Sequence, residues 1–247
     1  MEANAQYNVA KPGSLPVRVA GHQRRKMYKA FIQMGIGPAD TVLDIGATSD
    51  RSYEHSNYLE AWYPNPQRIT ALGVDAGAAF LEATYPGVRF IVGDGRVLPF
   101  ADDTFDYVHS SAVIEHVGSR RMQMAMIAEA RRVARKGVFI TTPNRWFPIE
   151  FHTLLPVVHW LPVAVFRRLL VAIGNEFFAS EANLNLLSVR ELRCMARHMG
   201  LPDDYEVRGV RLGGWVSNLI FMLRKRGENW ETPIEIRSAP YENSPAR

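Results

Sequence analysis

Residues 41–46 read Thr41-Val-Leu-Asp-Ile-Gly46, a short apolar run rich in branched side chains that stops at a glycine. A run of this length, without polar–apolar alternation, fits a strand covered on both faces. The signature recurs in Arg68-Ile-Thr-Ala-Leu-Gly-Val74, Val88-Arg-Phe-Ile-Val92, Thr104-Phe-Asp-Tyr-Val-His109 and Lys136-Gly-Val-Phe-Ile-Thr-Thr142. Helical patterns separate these runs: 53–62 before Pro64, 76–85 closed by Pro86-Gly87, and an amphipathic stretch over 120–135. Strands alternating with helices of this length predict a doubly wound, mainly parallel sheet.

Outward from that core the pattern changes. Residues 1–40 read as a loose N-terminal arm followed by a basic helix over 21–35 with Arg24, Arg25, Lys26 and Lys29. After Pro143 the alternation breaks, and 145–187 is apolar, aromatic and interrupted by proline, a helical cap or insertion over one sheet edge. Ser188 with Glu191 three residues on is a capping-box signature for a helix to His198, ended by Gly200 and Pro202. Residues 205–211 and 214–223 then read as two late strands, an antiparallel pair. The expected class is α/β: a Rossmann-like doubly wound sheet with an antiparallel late strand and a helical cap. The main domain spans 41–227, including the 145–187 cap, and 228–247 is a loose C-terminal tail.

At 247 residues and 47% hydrophobic content the chain can bury a large core. The net charge of +4 is too small to argue for a nucleic-acid partner, because 29 basic residues are interspersed with 25 acidic ones. Its single cysteine, Cys194, rules out an intramolecular disulfide and any multi-cysteine metal centre, and no metal site is expected. Residues 1–9 lack the basic-then-apolar order of a secretory signal. The most apolar stretch, 154–173, contains Pro156, His159, Pro162, Arg167 and Arg168, which argues against a membrane span. The expected location is cytoplasmic, with peripheral contact to the inner face of a membrane left open.

In an open parallel sheet, ligands bind beyond the carboxyl ends of the strands, so the residues after each strand carry the chemistry. These are Asp44-Ile-Gly46-Ala-Thr48-Ser-Asp50, Gly73-Val-Asp75, Gly93-Asp94-Gly95 and His109-Ser-Ser111. A carboxylate in the place of Asp75 can accept two hydrogen bonds from a ribose diol, and Asp94 one from an adenine amino group. Asp75 could equally be a helix N-cap and Asp94 a turn residue. Together with Leu98-Pro-Phe100, Phe105-Asp106 and Ile114-Glu-His116-Val117, the pattern over residues 41–143 resembles the class I S-adenosylmethionine-dependent methyltransferases, in particular the type 11 small-molecule group.

The resemblance implies S-adenosylmethionine as cofactor. It implies Gly46 at the methionine end, Asp44 orienting the ammonium group, Asp75 on the ribose, Asp94 and Gly95 at the adenine, and Ser110 facing the methionine portion. The first loop departs from the family's alternating glycines, carrying Thr48 and Asp50 instead. Either the loop is rebuilt so that Thr48, Ser49 or Asp50 contact the charged end of the cofactor, or the pocket is partly closed. A positioned acceptor aligned with the activated methyl accounts for much of the rate. A hydroxyl acceptor would also need a base, with His116, His152 and Glu150 as candidates and a structural reading open beside each.

No Asn/Asp-Pro-Pro-aromatic stretch follows the fourth strand, and no aromatic-plus-basic module is evident, so nucleic acid is not the expected partner. A small-molecule, sugar or lipid-linked acceptor fits better, because Trp146, Phe147, Phe151, Trp160 and Phe166 crowd the cap beside Arg167 and Arg168. Oligomeric state is not legible. Two other functions stand beside methyl transfer: an inactive methyltransferase-like binding or scaffold protein, and a nicotinamide oxidoreductase. The latter is disfavoured because Gly-x-Gly-x-x-Gly is missing and Asp75 lies about thirty residues beyond Gly46 rather than about twenty.

Overall fold

The structure is a computed structural model that describes residues 13–51, 55–201 and 205–225. Most of the expected N-terminal arm and all of the C-terminal tail lie outside the described residues.

The buried runs become strands where the sequence places them: β1 (Val42–Ile45), β2 (Ile69–Gly73), β3 (Arg89–Val92), β4 (Phe105–Ser111) and β5 (Ala134–Pro143), with β6 (Tyr205–Leu212) and β7 (Trp215–Arg224) following late. They form one seven-stranded sheet in the order β3-β2-β1-β4-β5-β7-β6. The first five are parallel, and β7 pairs antiparallel with both β5 and β6. From β1 the chain winds outward through β2 to β3, then crosses back to β4 on the other side of β1. The sheet's switch point therefore lies between β1 and β4, where Ile45 pairs with Ser110.

Period-two alternation distributes the core over both faces of the sheet. On one face Leu43, Val108, Ile140 and Phe221 pack with α4 (Arg120–Val133) and α7 (Val189–His198). On the other Val42, Tyr107, Phe139 and Ile220 pack with α1 (Leu15–Ile32), α2 (Tyr58–Trp62) and α3 (Phe80–Thr84). The helix α4 buries Gln123, Met126, Ile127, Ala130 and Val133, the spacing of one helical stripe. Met122, one turn before Met126 in the helix's first turn, is exposed. The capping box at α7 forms as its sequence predicts: the Ser188 amide donates to Glu191 Oε2 at 2.7 Å and the Glu191 amide to Ser188 Oγ at 3.3 Å.

Some boundaries differ from expectation. The first helix starts at Leu15 rather than near residue 21, because Pro16 in its first turn has the φ a helix start needs. The 76–85 helix divides into a 3-10 turn, Ala76–Ala79, and the short α3. The fifth strand begins at Ala134, directly after α4, with no loop between them. The cap contains α5 (Val163–Ala172) and α6 (Glu176–Ala179) around a third apolar cluster of Phe166, Leu170, Phe178, Leu184 and Leu186. Among the described residues no helix is long and apolar enough to cross a membrane.

Candidate functional site

A cavity of about 550 Å³ opens at the carboxyl ends of β1 to β4, reaches under the first turns of α1, and ends against Phe151, His152 and Leu154 of the cap. That volume lies in the range that encloses small ligands, roughly 300–1,000 Å³. Its floor is backbone. Gly46 has φ +104°, and a Cβ there would stand 2.0 Å from Val113 Cγ2, so only glycine lets β1 turn away here while keeping that contact. The amides of Gly46 and Ala47 both donate to Leu72 O, at 2.8 and 3.0 Å, fixing the turn to β2. A Cβ on Gly73 would lie 2.3 Å from Ala47 O, and one on Gly95 would lie 2.7 Å from Ile45 Cγ2.

The loop after Gly46 is held by side chains in place of further glycines. The Thr48 amide donates to Asn57 Oδ1 at 2.9 Å and Asn57 Nδ2 donates back to Thr48 O at 3.0 Å. The Asp50 amide donates to Thr48 Oγ1 at 3.1 Å, and Ser49 Oγ donates to the Asp75 carboxylate. Thr48 lines the cavity, whereas Asp50 is buried within the loop. Asn57, which clamps this loop, carries no motif signal and was not legible in the sequence.

The predicted acids take different positions. Asp75 accepts from the Gly77 amide at 2.9 Å and caps the 3-10 turn, so its structural reading is realised, and its neighbours Gly73 and Val74 line the cavity. Asp94 lines the cavity and is gripped by Arg96: Nε reaches both carboxylate oxygens, at 2.9 and 3.0 Å, and Nη2 reaches Oδ2 at 2.6 Å. That pairing holds the Asp94 carboxyl below its ordinary value. The Arg96 amide also donates to Oδ1 at 2.9 Å, so each carboxylate oxygen already accepts two contacts, and a ligand here would share or displace them.

Asp44 does not line the cavity. It is buried, with His109 Nδ1 2.5 Å from its Oδ1, and His109 Nε2 is 2.8 Å from the Tyr58 hydroxyl. Burial pushes Asp44 up to about 7 and His109 down to about 4, so the pair shares one proton without net charge. Glu60, fully buried nearby, is pushed well above the ordinary carboxylate range by burial and by Asp44. Ser110 is fully buried, its hydroxyl donating to Ile45 O at 2.9 Å, and Ser111, one step along β4, lines the cavity.

At the far end, His116 and His152 line the cavity with their rings edge to face, centroids 4.6 Å apart. His116 Nδ1 lies 2.6 Å from Asn183 O, and burial together with the neighbouring His152 pushes its pKa down to about 3. Glu150 stands behind His152, with Oε1 2.7 Å from His152 Nδ1, and accepts from the amides of His152 and Thr153. Burial would raise Glu150, but His152 and these donors outweigh it and hold the carboxyl near 2. Burial likewise would lower His152, yet Glu150 raises it above its ordinary value. Glu115 is fully buried, accepts from Thr142 Oγ1 at 2.9 Å, and is pushed up to about 7 by burial. Two of the three base candidates therefore meet at the cavity, and Glu150 stands behind His152 without lining it.

Residues 43–141 match the family model of the methyltransferase domain. The chain has a class I methyltransferase fold. Over 124 residues it is 34% identical to a demethylmenaquinone methyltransferase of Roseiflexus sp. strain RS-1, covering 48% of this chain and 47% of that protein. The chain thus spans about half the length of that curated relative. Among solved structures, the methyltransferase fold is similar to that of a Pyrococcus horikoshii OT3 protein, with TM-score 0.54 at 16% identity over 90% of this chain and 95% of the other. It is also similar to a SAM-dependent methyltransferase from Methanosarcina mazei, with TM-score 0.51 at 16% identity over 79% and 96% of the two chains. Gly46, Gly73 and Gly95 all line the cavity, and a Cβ at any of them would collide with Val113, Ala47 O or Ile45, so the backbone there stays bare for close approach by a ligand such as this domain's cofactor.

Proposed function

We propose that this chain transfers a methyl group from S-adenosylmethionine to a small, largely apolar acceptor bearing an oxygen function, lipid-linked or drawn from a membrane surface. The observation that carries this reading is the continuous cavity that joins the glycine cradle at the strand ends to His116 and His152 under the cap. When bound, the cofactor supplies a sulfonium-activated methyl. The rest is the work of this chain. Asp94, set by Arg96, and Asp75, next to the lining residues Gly73 and Val74, hold the nucleoside end, while Thr48 and the turn at Gly46 bound the methionine end. The His116–His152 end positions the acceptor oxygen and handles its proton, with Glu150 orienting His152. Transfer replaces the acceptor's O–H by O–CH3 and leaves the cofactor's sulfur as a thioether, and the proton leaves toward the histidine end. Alignment at this junction is what accelerates transfer.

The apolar character of the acceptor is argued from the cap. Helix α5 buries Phe166 and Leu170 but exposes Val163, Val165, Leu169 and Val171, followed by exposed Ile173, with Arg168 exposed beside them. Val165 and Leu169, one turn apart, share a face, and exposed apolar surface of this kind favours contact with a membrane or partner. The relative from Roseiflexus, whose name specifies a demethylmenaquinone, supports the same class.

Calorimetric titration with S-adenosylhomocysteine and with NAD, followed by transfer of a labelled methyl to lipid and aqueous extracts, tests the reading. Binding of the first ligand and label in the lipid fraction are expected. Binding of NAD alone overturns the methyl-transfer reading, and cofactor binding with no label in either extract supports the scaffold alternative.

A further inference from the structure

Three potential ligands from two separate parts of the chain meet at the acceptor end of the cavity. Glu115 and His116 come from the turn after β4, and His152 comes from the cap. One nitrogen or oxygen of each lies within 4.8 Å of the other two. Both histidines engage Nδ1 with an acceptor: His116 with the Asn183 carbonyl at 2.6 Å, His152 with the Glu150 carboxylate at 2.7 Å. In the neutral imidazole, the form a metal binds, an acceptor at Nδ1 makes that nitrogen the protonated one and presents the Nε2 lone pair to whatever lies beyond. This is the outer-shell arrangement that orients metal-binding imidazoles: a backbone carbonyl for one ring and a carboxylate for the other.

The carboxylate completes the set. Glu115 Oε2 accepts from Thr142, but Oε1 is buried with no hydrogen-bond partner. It stands 3.8 Å from His116 Nε2, which in this tautomer offers a lone pair rather than a proton. An unpartnered oxygen on a fully buried carboxylate is costly, and a cation between it and the two rings removes that cost. A tetrahedral ion with ligands at about 2.1 Å sets neighbouring ligand atoms roughly 3.4 Å apart, so small side-chain adjustments suffice.

We propose that Glu115, His116 and His152 bind one divalent transition-metal ion through Glu115 Oε1 and the two Nε2 atoms, with its open coordination positions facing the cavity. Two imidazoles and one carboxylate, with no thiolate, suit the zinc, cobalt, manganese and ferrous class. Resting on the methyl-transfer reading, the metal-loaded site would replace the histidines as direct proton acceptors: the ion would hold the acceptor's oxygen and favour its ionised form before methylation. Sequence inspection misses the site because residues 115 and 152 belong to segments that only the cap brings together.

The full chain, stripped with a chelator, is titrated with Co(II) and with Zn(II), and read by calorimetry and by visible absorption of bound Co(II). One equivalent of each is expected, with cobalt ligand-field bands, and affinity falling at least about tenfold in His152→Ala and Glu115→Gln. The His198→Gln variant, altered at an exposed position of α7, keeps wild-type affinity. X-ray absorption of the Zn(II)-loaded wild type carries the test should either variant fail to fold, with two imidazoles and oxygen in the first shell expected. Absence of stoichiometric metal, or equal affinity in folded variants, overturns the proposal. Metal binding without S-adenosylhomocysteine binding would sink the methyl-transfer reading and leave the site standing; the converse would do the opposite.

Discussion

At the scale of single residues, Gly46 is the most constrained position. Its φ of +104° and the 2.0 Å approach of Val113 to any Cβ placed there act together. Gly46→Ala is therefore expected to cost about 1–3 kcal/mol in urea denaturation and to weaken S-adenosylhomocysteine binding. Adding Val113→Ala removes the clash but not the backbone strain, so the double variant should recover part of the stability; complete recovery would show that φ carries no strain. Glu60 makes a second prediction. Its carboxyl is raised by burial and by Asp44, so the folded state retains a proton that the unfolded chain releases above about 4.5. That contribution is fully present below the unfolded value and is lost as pH rises through the folded one. Above about pH 7, His109 is neutral in both states and no longer opposes this trend. Tm measured from about pH 7 to 9 should therefore fall less steeply in Glu60→Gln than in the wild type. Parallel slopes would mean that Glu60 is not protonated in the fold.

At the scale of elements, α5 is the helix whose burial fails to explain its composition. It packs on the cap through Phe166 and Leu170, one turn apart, and leaves Val165 and Leu169 exposed. Replacing both by Asp touches no buried contact, so Tm should change by no more than surface substitutions usually cause, about 0.5 kcal/mol in stability. Sedimentation with anionic vesicles should drop about tenfold if this face seats on lipid. Retention unchanged in the double variant would remove the membrane-edge argument while leaving the cofactor site intact. By contrast, α4 and α7 have compositions that their packing accounts for: each shows one apolar stripe and a Ser cap, and each lies on the sheet face that its stripe requires.

At the scale of the whole molecule, the cavity draws on the ends of four strands, α1 and the cap, so a ligand there should couple to global stability. S-adenosylhomocysteine at about a hundred times its Kd should add about 2.7 kcal/mol, raising Tm by roughly 5–10 °C in a chain of this size. No rise with a ligand that binds calorimetrically would place it elsewhere. The alternation of buried runs with helical stripes determined the parallel sheet, the antiparallel late pair and the positions of Gly46, Asp75 and Asp94 at strand ends. These are local properties: burial on both faces, the period of a helix and the place of a glycine are all written in neighbouring residues. What each side chain does at those places was decided by tertiary structure. Arg96 grips Asp94, Asn57 clamps Thr48, and Asp44 turns to His109 rather than into the cavity. Glu115, His116 and His152 meet because the cap folds back over the carboxyl ends of the sheet. Such contacts join residues far apart in sequence, and no short-range pattern encodes which of them the chain will bring within a few ångströms.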